Sequence, residues 1–187
     1  MSALNHFLKN TVAAFLAIVW FSLPSAAVEQ VRLDRLFAQW KQVEAAEAVK
    51  IGREIVLELS KSGSSAMDLL LKRGRDALEA GEINTAIEHL TALTDHAPEF
   101  AEGWHMRAVA YSRADLFGPA IADLERALAL RPRHFEAIFG LGLILEELNR
   151  PDMALEAFDR VLDIHPHYNE AIEARERLSG KTGGENL

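Results

Sequence analysis

The chain has 187 residues, of which 49% are hydrophobic and 26% charged, a balance that suits one folded domain or one short solenoid. Acidic residues outnumber basic ones by 28 to 20, for a net charge of −8, and no run of Lys or Arg could track a phosphate backbone, which sets nucleic acid aside as a partner. Cysteine is absent, so disulfides, thiolate metal sites and cysteine nucleophiles are excluded.

At the N-terminus Lys9 precedes an apolar run over residues 11–23, followed by Pro24, the small residues Ser25-Ala26-Ala27 and the polar pair Glu29-Gln30. That order reads as a secretory signal peptide over residues 1–27, cleaved after Ala27. Its apolar core of 13 residues is shorter than the roughly 20 a helix needs to span a bilayer. No stable membrane insertion is therefore expected after cleavage, and the mature chain reads as an exported acidic protein.

Residues 28–64 are helical in pattern. Leu33, Leu36, Phe37 and Trp40 form one apolar stripe, and Ala48, Gly52, Ile55, Val56 and Leu59 form a second. The segment predicts a helical hairpin that is a degenerate repeat or a cap, because bulky Trp40 stands where the following blocks carry a small residue and Ser64 where they carry proline.

Three blocks of 34 residues then follow without a gap, at 67–100, 101–134 and 135–168. Small residues recur at Gly74, Ala108 and Gly142 and at Ala86, Ala120 and Ala154; prolines recur at Pro98, Pro132 and Pro166. A fixed period of this length predicts a stacked helix-turn-helix array. Helices in close contact have axes about 8–10 Å apart, which admits Gly or Ala and rejects Leu, and the late proline ends the second helix of each block. The helices should reverse at Gly81-Glu82, between Asp115 and Pro119, and at residues 149–152. Beyond Tyr168, Ala171, Ala174 and Leu178 predict a capping helix over 169–179, and residues 180–187, with three glycines, a disordered tail.

In the middle block Trp104, Ala108, Tyr111, Ala120, Ala127 and Pro132 match the tetratricopeptide repeat signature, and the flanking blocks match it at most of the same places. Leu90 and Leu124 replace the usual aromatic residue, and Ala77 the usual tyrosine. This resemblance implies an all-α fold, a right-handed α-solenoid of helical hairpins whose first helices line a concave groove. It implies a non-catalytic adaptor that binds a protein or peptide segment there. An exported chain of this kind resembles the small envelope members of Gram-negative bacteria, which implies the periplasm or cell envelope. The groove positions carried over by the resemblance are Asp68, Leu71, Lys72, Arg75, Leu78 and Glu79, then Glu102, His105, Met106, Val109, Ser112 and Arg113, then Glu136, Phe139, Gly140, Leu143, Glu146 and Glu147. Among them Leu71, Lys72, Arg75, Glu102, His105, Met106, Val109, Arg113, Glu136, Phe139, Leu143 and Glu146 are the expected partner contacts. Apolar anchors flanked by carboxylates imply a partner that is apolar and basic. The Lys and Asn pattern by which some members grip a free C-terminal carboxylate is missing, since Leu71, Arg75, Met106, Glu136 and Gly140 stand at those places.

Two alternatives come from other classes. One is a structural envelope protein that associates with its own copy, the oligomeric state being open. The other is a metal-dependent enzyme: His96, His134, His165 and His167 occupy comparable turns and could share one edge of the stack. Read as polar turn residues they need no ion, and no His-Glu-x-x-His motif, phosphate loop or nucleophile elbow is present. No metal, cofactor or catalytic residue is expected.

Overall fold

The computed structural model describes residues 25–184; the expected leader up to residue 24 and residues 185–187 lie outside them. Nine helices are present among the described residues: α1 (Ser25–Trp40), α2 (Ala45–Leu59), α3 (Ser65–Glu79), α4 (Ile83–His96), α5 (Ala101–Arg113), α6 (Phe117–Leu130), α7 (Phe135–Glu147), α8 (Pro151–Ile164) and α9 (Asn169–Gly184). The described residues contain no strand, and the fold is all-α. Among them no helix is long and apolar enough to cross a membrane.

The three 34-residue blocks form the hairpins α3/α4, α5/α6 and α7/α8, and each first helix ends in the same way. Gly81, Asp115 and Asn149, one period apart, adopt φ values of 77°, 58° and 55°. This left-handed region is open to glycine and is tolerated by Asn and Asp. The next amide in each block then bonds back to a carbonyl five residues earlier: Glu82 to Ala77 at 2.8 Å, Leu116 to Tyr111 at 2.9 Å and Arg150 to Leu145 at 2.8 Å. This is a Schellman closure repeated three times, and it satisfies carbonyls that a helix end would leave bare.

Within each hairpin the small residue of the first helix faces a large residue of the second. A Cβ placed on Gly74 would lie 2.6 Å from Leu90, and one on Gly142 would lie 2.5 Å from the Phe158 ring. Ala86, Ala120 and Ala154 are fully buried. Arg107 holds the first two repeats together, with Nε and Nη2 on the two oxygens of buried Asp123 at 2.7 and 2.8 Å and Nη1 on Thr94 of α4 at 2.8 Å. At the far end, α9 lays Ala171, Ala174 and Leu178 against the last repeat. It stays helical through Gly184, past Ser179, where the glycine content had suggested a tail.

The N-terminal hairpin departs from simple stacking. Its apolar face does not continue the array from the first repeat; it folds back onto the third, in one core with Phe135, Ile138, Ala157 and Val161. Trp40 lies on Gly52 of α2, where a Cβ would come within 2.9 Å of its ring, and being larger than the small residue of a regular hairpin it also reaches the turns between repeats, 1% exposed. There it stacks on His165 at 3.7 Å and meets the Phe135 edge at 4.9 Å, while its indole N–H donates to the Ala48 carbonyl at 2.8 Å. Arg133 pairs with Asp34 and lies over Phe37, and Arg131 donates to Gln30 at 3.0 Å. Leu69 of the first repeat remains exposed.

Candidate binding groove

Helices α3, α5 and α7 carry the groove positions, and the structure sorts the expected contacts into three groups. The first turns inward. Leu71 is 2% exposed and belongs to the core of the first repeat, and Leu78 is buried beside it. Glu102 is likewise 2% exposed. One of its carboxylate oxygens accepts from Arg75; the other accepts from His105 Nδ1 at 3.2 Å and His134 Nε2 at 2.9 Å. Leu71, Glu102 and His105, the last 7% exposed, thus have most of their surface or lone pairs used inside the fold, and of the three only His105 also borders the cavity between α5 and α7.

The second group is half-buried against its own repeat. Phe139 packs between Phe158 and Tyr168, with ring centroids 5.6 and 5.2 Å away, so it supports the third repeat as well as facing the groove. Met106 and Val109 border the first-repeat core. Glu146 is bound by Arg177 of the capping helix at 2.6 Å, and Arg75 is shared between Glu102 and Ser60 of the N-terminal hairpin. The third group is outward: Lys72, which pairs with Asp76 at 2.6 Å, Arg113, and Leu143, 41% exposed. Glu136, half-buried, stands between these groups.

Four of the expected contacts converge. His105, Val109, Arg113 and Leu143 line a cavity of about 220 Å³ between α5 and α7, with Ser112 and Gly140 beside them and Ala108, Leu124 and Ile144 as its apolar wall. The socket exists because position 140 has no side chain: a Cβ built there meets only Leu124, at 3.9 Å. Ala108, Leu124 and Ile144 were not foreseen as site residues, since their periodicity marks them as core and nothing in the spacing reveals that the core is open at that point.

Glu102, His105, His134 and Glu136 bring their donor atoms within 4.8 Å of one another, a different set of residues from the four turn histidines. His96 and His167 are exposed, and His165 is sequestered under Trp40. The second coordination shell argues for proton bridges here. The Ala137 amide donates to His134 Nδ1 at 3.3 Å, as a helix N-cap, so the ring proton sits on Nε2 and points at Glu102. A metal on Nε2 would push that proton onto Nδ1, against the Ala137 N–H, whereas ligating histidines ordinarily donate from their second nitrogen. Burial by itself would raise the Glu102 carboxyl, but His105 and then His134 outweigh it and hold it well below the usual carboxylate range. Burial would lower His105, and Glu102, aided by Glu136, reverses that and raises it. With Arg75 of α3 on Glu102, the cluster ties the first helices of all three repeats together.

Residues 71–118 and 105–169 match the tetratricopeptide repeat family model. A TPR repeat-containing protein of Rhizobium etli is 33% identical over 154 residues, 82% of this chain and 76% of that one. Among solved structures, the first TPR of Spaghetti (RPAP3) bound to the HSP90 peptide SRMEEVD is similar, with a TM-score of 0.60 and 26% identity over 63% of this chain and 93% of that one. The crystal structure of MamA is similar too, with a TM-score of 0.59 and 28% identity over 63% and 68% of the two chains. With the 34-residue period, the three Schellman closures and the buried small-residue contacts, these matches show that the chain belongs to the tetratricopeptide repeat family.

Proposed function

We propose that this chain is a non-catalytic protein-protein interaction adaptor that holds a segment of a partner in its concave groove, with the socket between α5 and α7 as the anchor point. The socket carries the reading. At about 220 Å³ with apolar walls, it exceeds the roughly 150 Å³ that accommodates a benzene ring in an apolar cavity, so it takes a large aliphatic or aromatic side chain, and such buried anchors dominate interface energetics. The similar RPAP3 domain is itself bound to a peptide. A basic preference in the partner rests on Glu136 and Glu147 alone, because Glu102 and Glu146 already have internal partners.

Export to the periplasm or cell envelope of a Gram-negative bacterium is part of the same reading and is supported by the residue pattern up to Ala27. Cleavage there removes only the first residues of α1 and leaves its buried face, from Leu33 onward, intact. The mature N-terminus should be Val28, and recovery of the uncleaved chain from the membrane fraction would refute export. The groove is tested by crosslinking pull-down with Gly140→Leu, which fills the socket from open space, beside Glu156→Ala on exposed α8 surface. Parent and Glu156→Ala should recover the same partner and Gly140→Leu should lose it; equal recovery by all three would place binding elsewhere.

A further inference from the structure

The socket between α5 and α7 is not wholly apolar. Ala108, Val109, Leu124, Leu143 and Ile144 give it carbon surface, while its polar side chains, His105, Ser112 and Arg113, all come from α5. Arg113 stands at the exposed rim, where it donates to the Leu78 carbonyl at 2.8 Å. His105, by contrast, is 7% exposed. Its Nδ1 is 3.2 Å from Glu102, whose carboxyl is held ionised, so the proton between them sits on Nδ1. The other ring nitrogen, Nε2, makes no hydrogen bond with any described residue. It is not sealed in either: among the described residues His165 Nδ1 is the one buried side-chain atom without a partner, and the socket is the cavity that His105 borders. An apolar chamber therefore offers an unpaired imidazole nitrogen to the side chain that fills it.

That nitrogen narrows the choice of occupant. With Nδ1 protonated, Nε2 accepts in the neutral ring and donates in the charged one; a phenol hydroxyl serves both, an indole N–H only donates, and a phenyl or aliphatic group does neither. A carboxylate tip is disfavoured, because Glu102 and Glu136 each bring an oxygen within 4.8 Å of the His105 donor atom and like charges so close repel. An ammonium tip would shed its water among carbon walls. We propose that the side chain the socket receives is a tyrosine of the partner segment, its ring on Leu124, Leu143 and Ile144 and its hydroxyl on His105 Nε2, so that His105 sets the specificity of the groove. The inference rests on the groove reading and names the residue that the groove selects.

The test is an NMR titration of the purified protein with p-cresol and, separately, with toluene, which are the tyrosine and phenylalanine side chains without their backbone. Both should give saturable amide shifts at Val109 and Leu143. The cresol should bind about five-fold tighter or more, because toluene leaves the imidazole nitrogen desolvated and unpaired, and it should move the His105 Nε2 resonance much further than toluene does. His105→Phe, with a parent-like amide spectrum away from α5, should bring the two affinities together; if that variant does not fold, the Nε2 resonance of the parent decides. Toluene binding as tightly as p-cresol, a preference for p-cresol that persists in His105→Phe, or an Nε2 resonance that p-cresol leaves unmoved would overturn the proposal. Gly140→Leu separates the two levels of inference. It should abolish both titrations together with partner capture, so compounds and partner that bind it as they bind the parent sink the socket itself. Equal parent affinities for the two compounds, both lost in Gly140→Leu, sink only the tyrosine.

Discussion

Gly140 and Gly142 lie two residues apart in α7, and alanine at these two positions should change stability in opposite directions. Each substitution removes the cost of a helical glycine, about 1 kcal/mol. At Gly140 the new methyl meets only Leu124, at 3.9 Å, an ordinary contact, so Gly140→Ala should keep the whole gain. At Gly142 the methyl would stand 2.5, 2.9 and 3.1 Å from three atoms of the Phe158 ring. That ring is fully buried and flanked by Phe139, so it cannot swing away as the end of a flexible chain would. Overpacking typically costs about 1–3 kcal/mol, and three short contacts to a trapped ring belong in the upper part of that range. The net for Gly142→Ala is a loss of about 1–2 kcal/mol, and the pair should differ by about 2–3 kcal/mol. At about 2–4 °C per kcal/mol for a chain of this size, Gly140→Ala should melt about 2–4 °C above the parent and Gly142→Ala about 2–8 °C below it. Urea and thermal unfolding followed by far-UV circular dichroism measure both. If Gly142→Ala were as stable as the parent, the close packing of α7 on α8 would be wrong; if Gly140→Ala were destabilised, the socket would not be open.

Ala120→Leu, at the fully buried contact of the middle repeat, should lower stability by about 1–3 kcal/mol and broaden the transition, because the middle unit couples both ends of the array; unfolding indistinguishable from the parent would refute the register. Glu102→Ala strips three hydrogen bonds from Arg75, His105 and His134 and should cost about 3 kcal/mol or more, whereas the same change at exposed Glu156 should fall within about 0.5 kcal/mol; denaturant midpoints compare them. His165, under Trp40, has its pKa pushed down to about 4 by burial and then by His167, so it must stay neutral in the fold. Stability from this site is complete above pH 6.5 and is lost as pH falls toward 4, by about 3 kcal/mol in all at 1.36 kcal/mol per unit. His165→Phe should flatten that limb, leaving the Glu102 limb, which begins only below pH 4.5; an unchanged acid profile in His165→Phe would show that the hairpin does not depend on a neutral ring.

Helix positions, the three-repeat array and the ends of each first helix were legible in the residues, because each depends on contacts a few positions apart. Gly81, Asp115 and Asn149 are the residue types that accept a left-handed turn, and a carbonyl five residues away completes it. The small-to-large contacts of Gly74 and Gly142 repeat with the same period. Six of the nine residues that line the socket, His105, Val109, Ser112, Arg113, Gly140 and Leu143, stand at positions that the repeat resemblance assigns to the groove. Tertiary structure alone decided the rest. Glu102 reads as a groove carboxylate in its own helix, and it turns inward only because Arg75 and His134, 27 and 32 residues away, converge on it. Trp40 advertised an irregular hairpin but not its destination, which is set by His165 and Phe135 and by the Arg131–Gln30 contact across 101 residues. Local periodicity determines which face of a helix is apolar. What that face meets depends on which distant surface has a matching gap, and that exists only once the chain has folded.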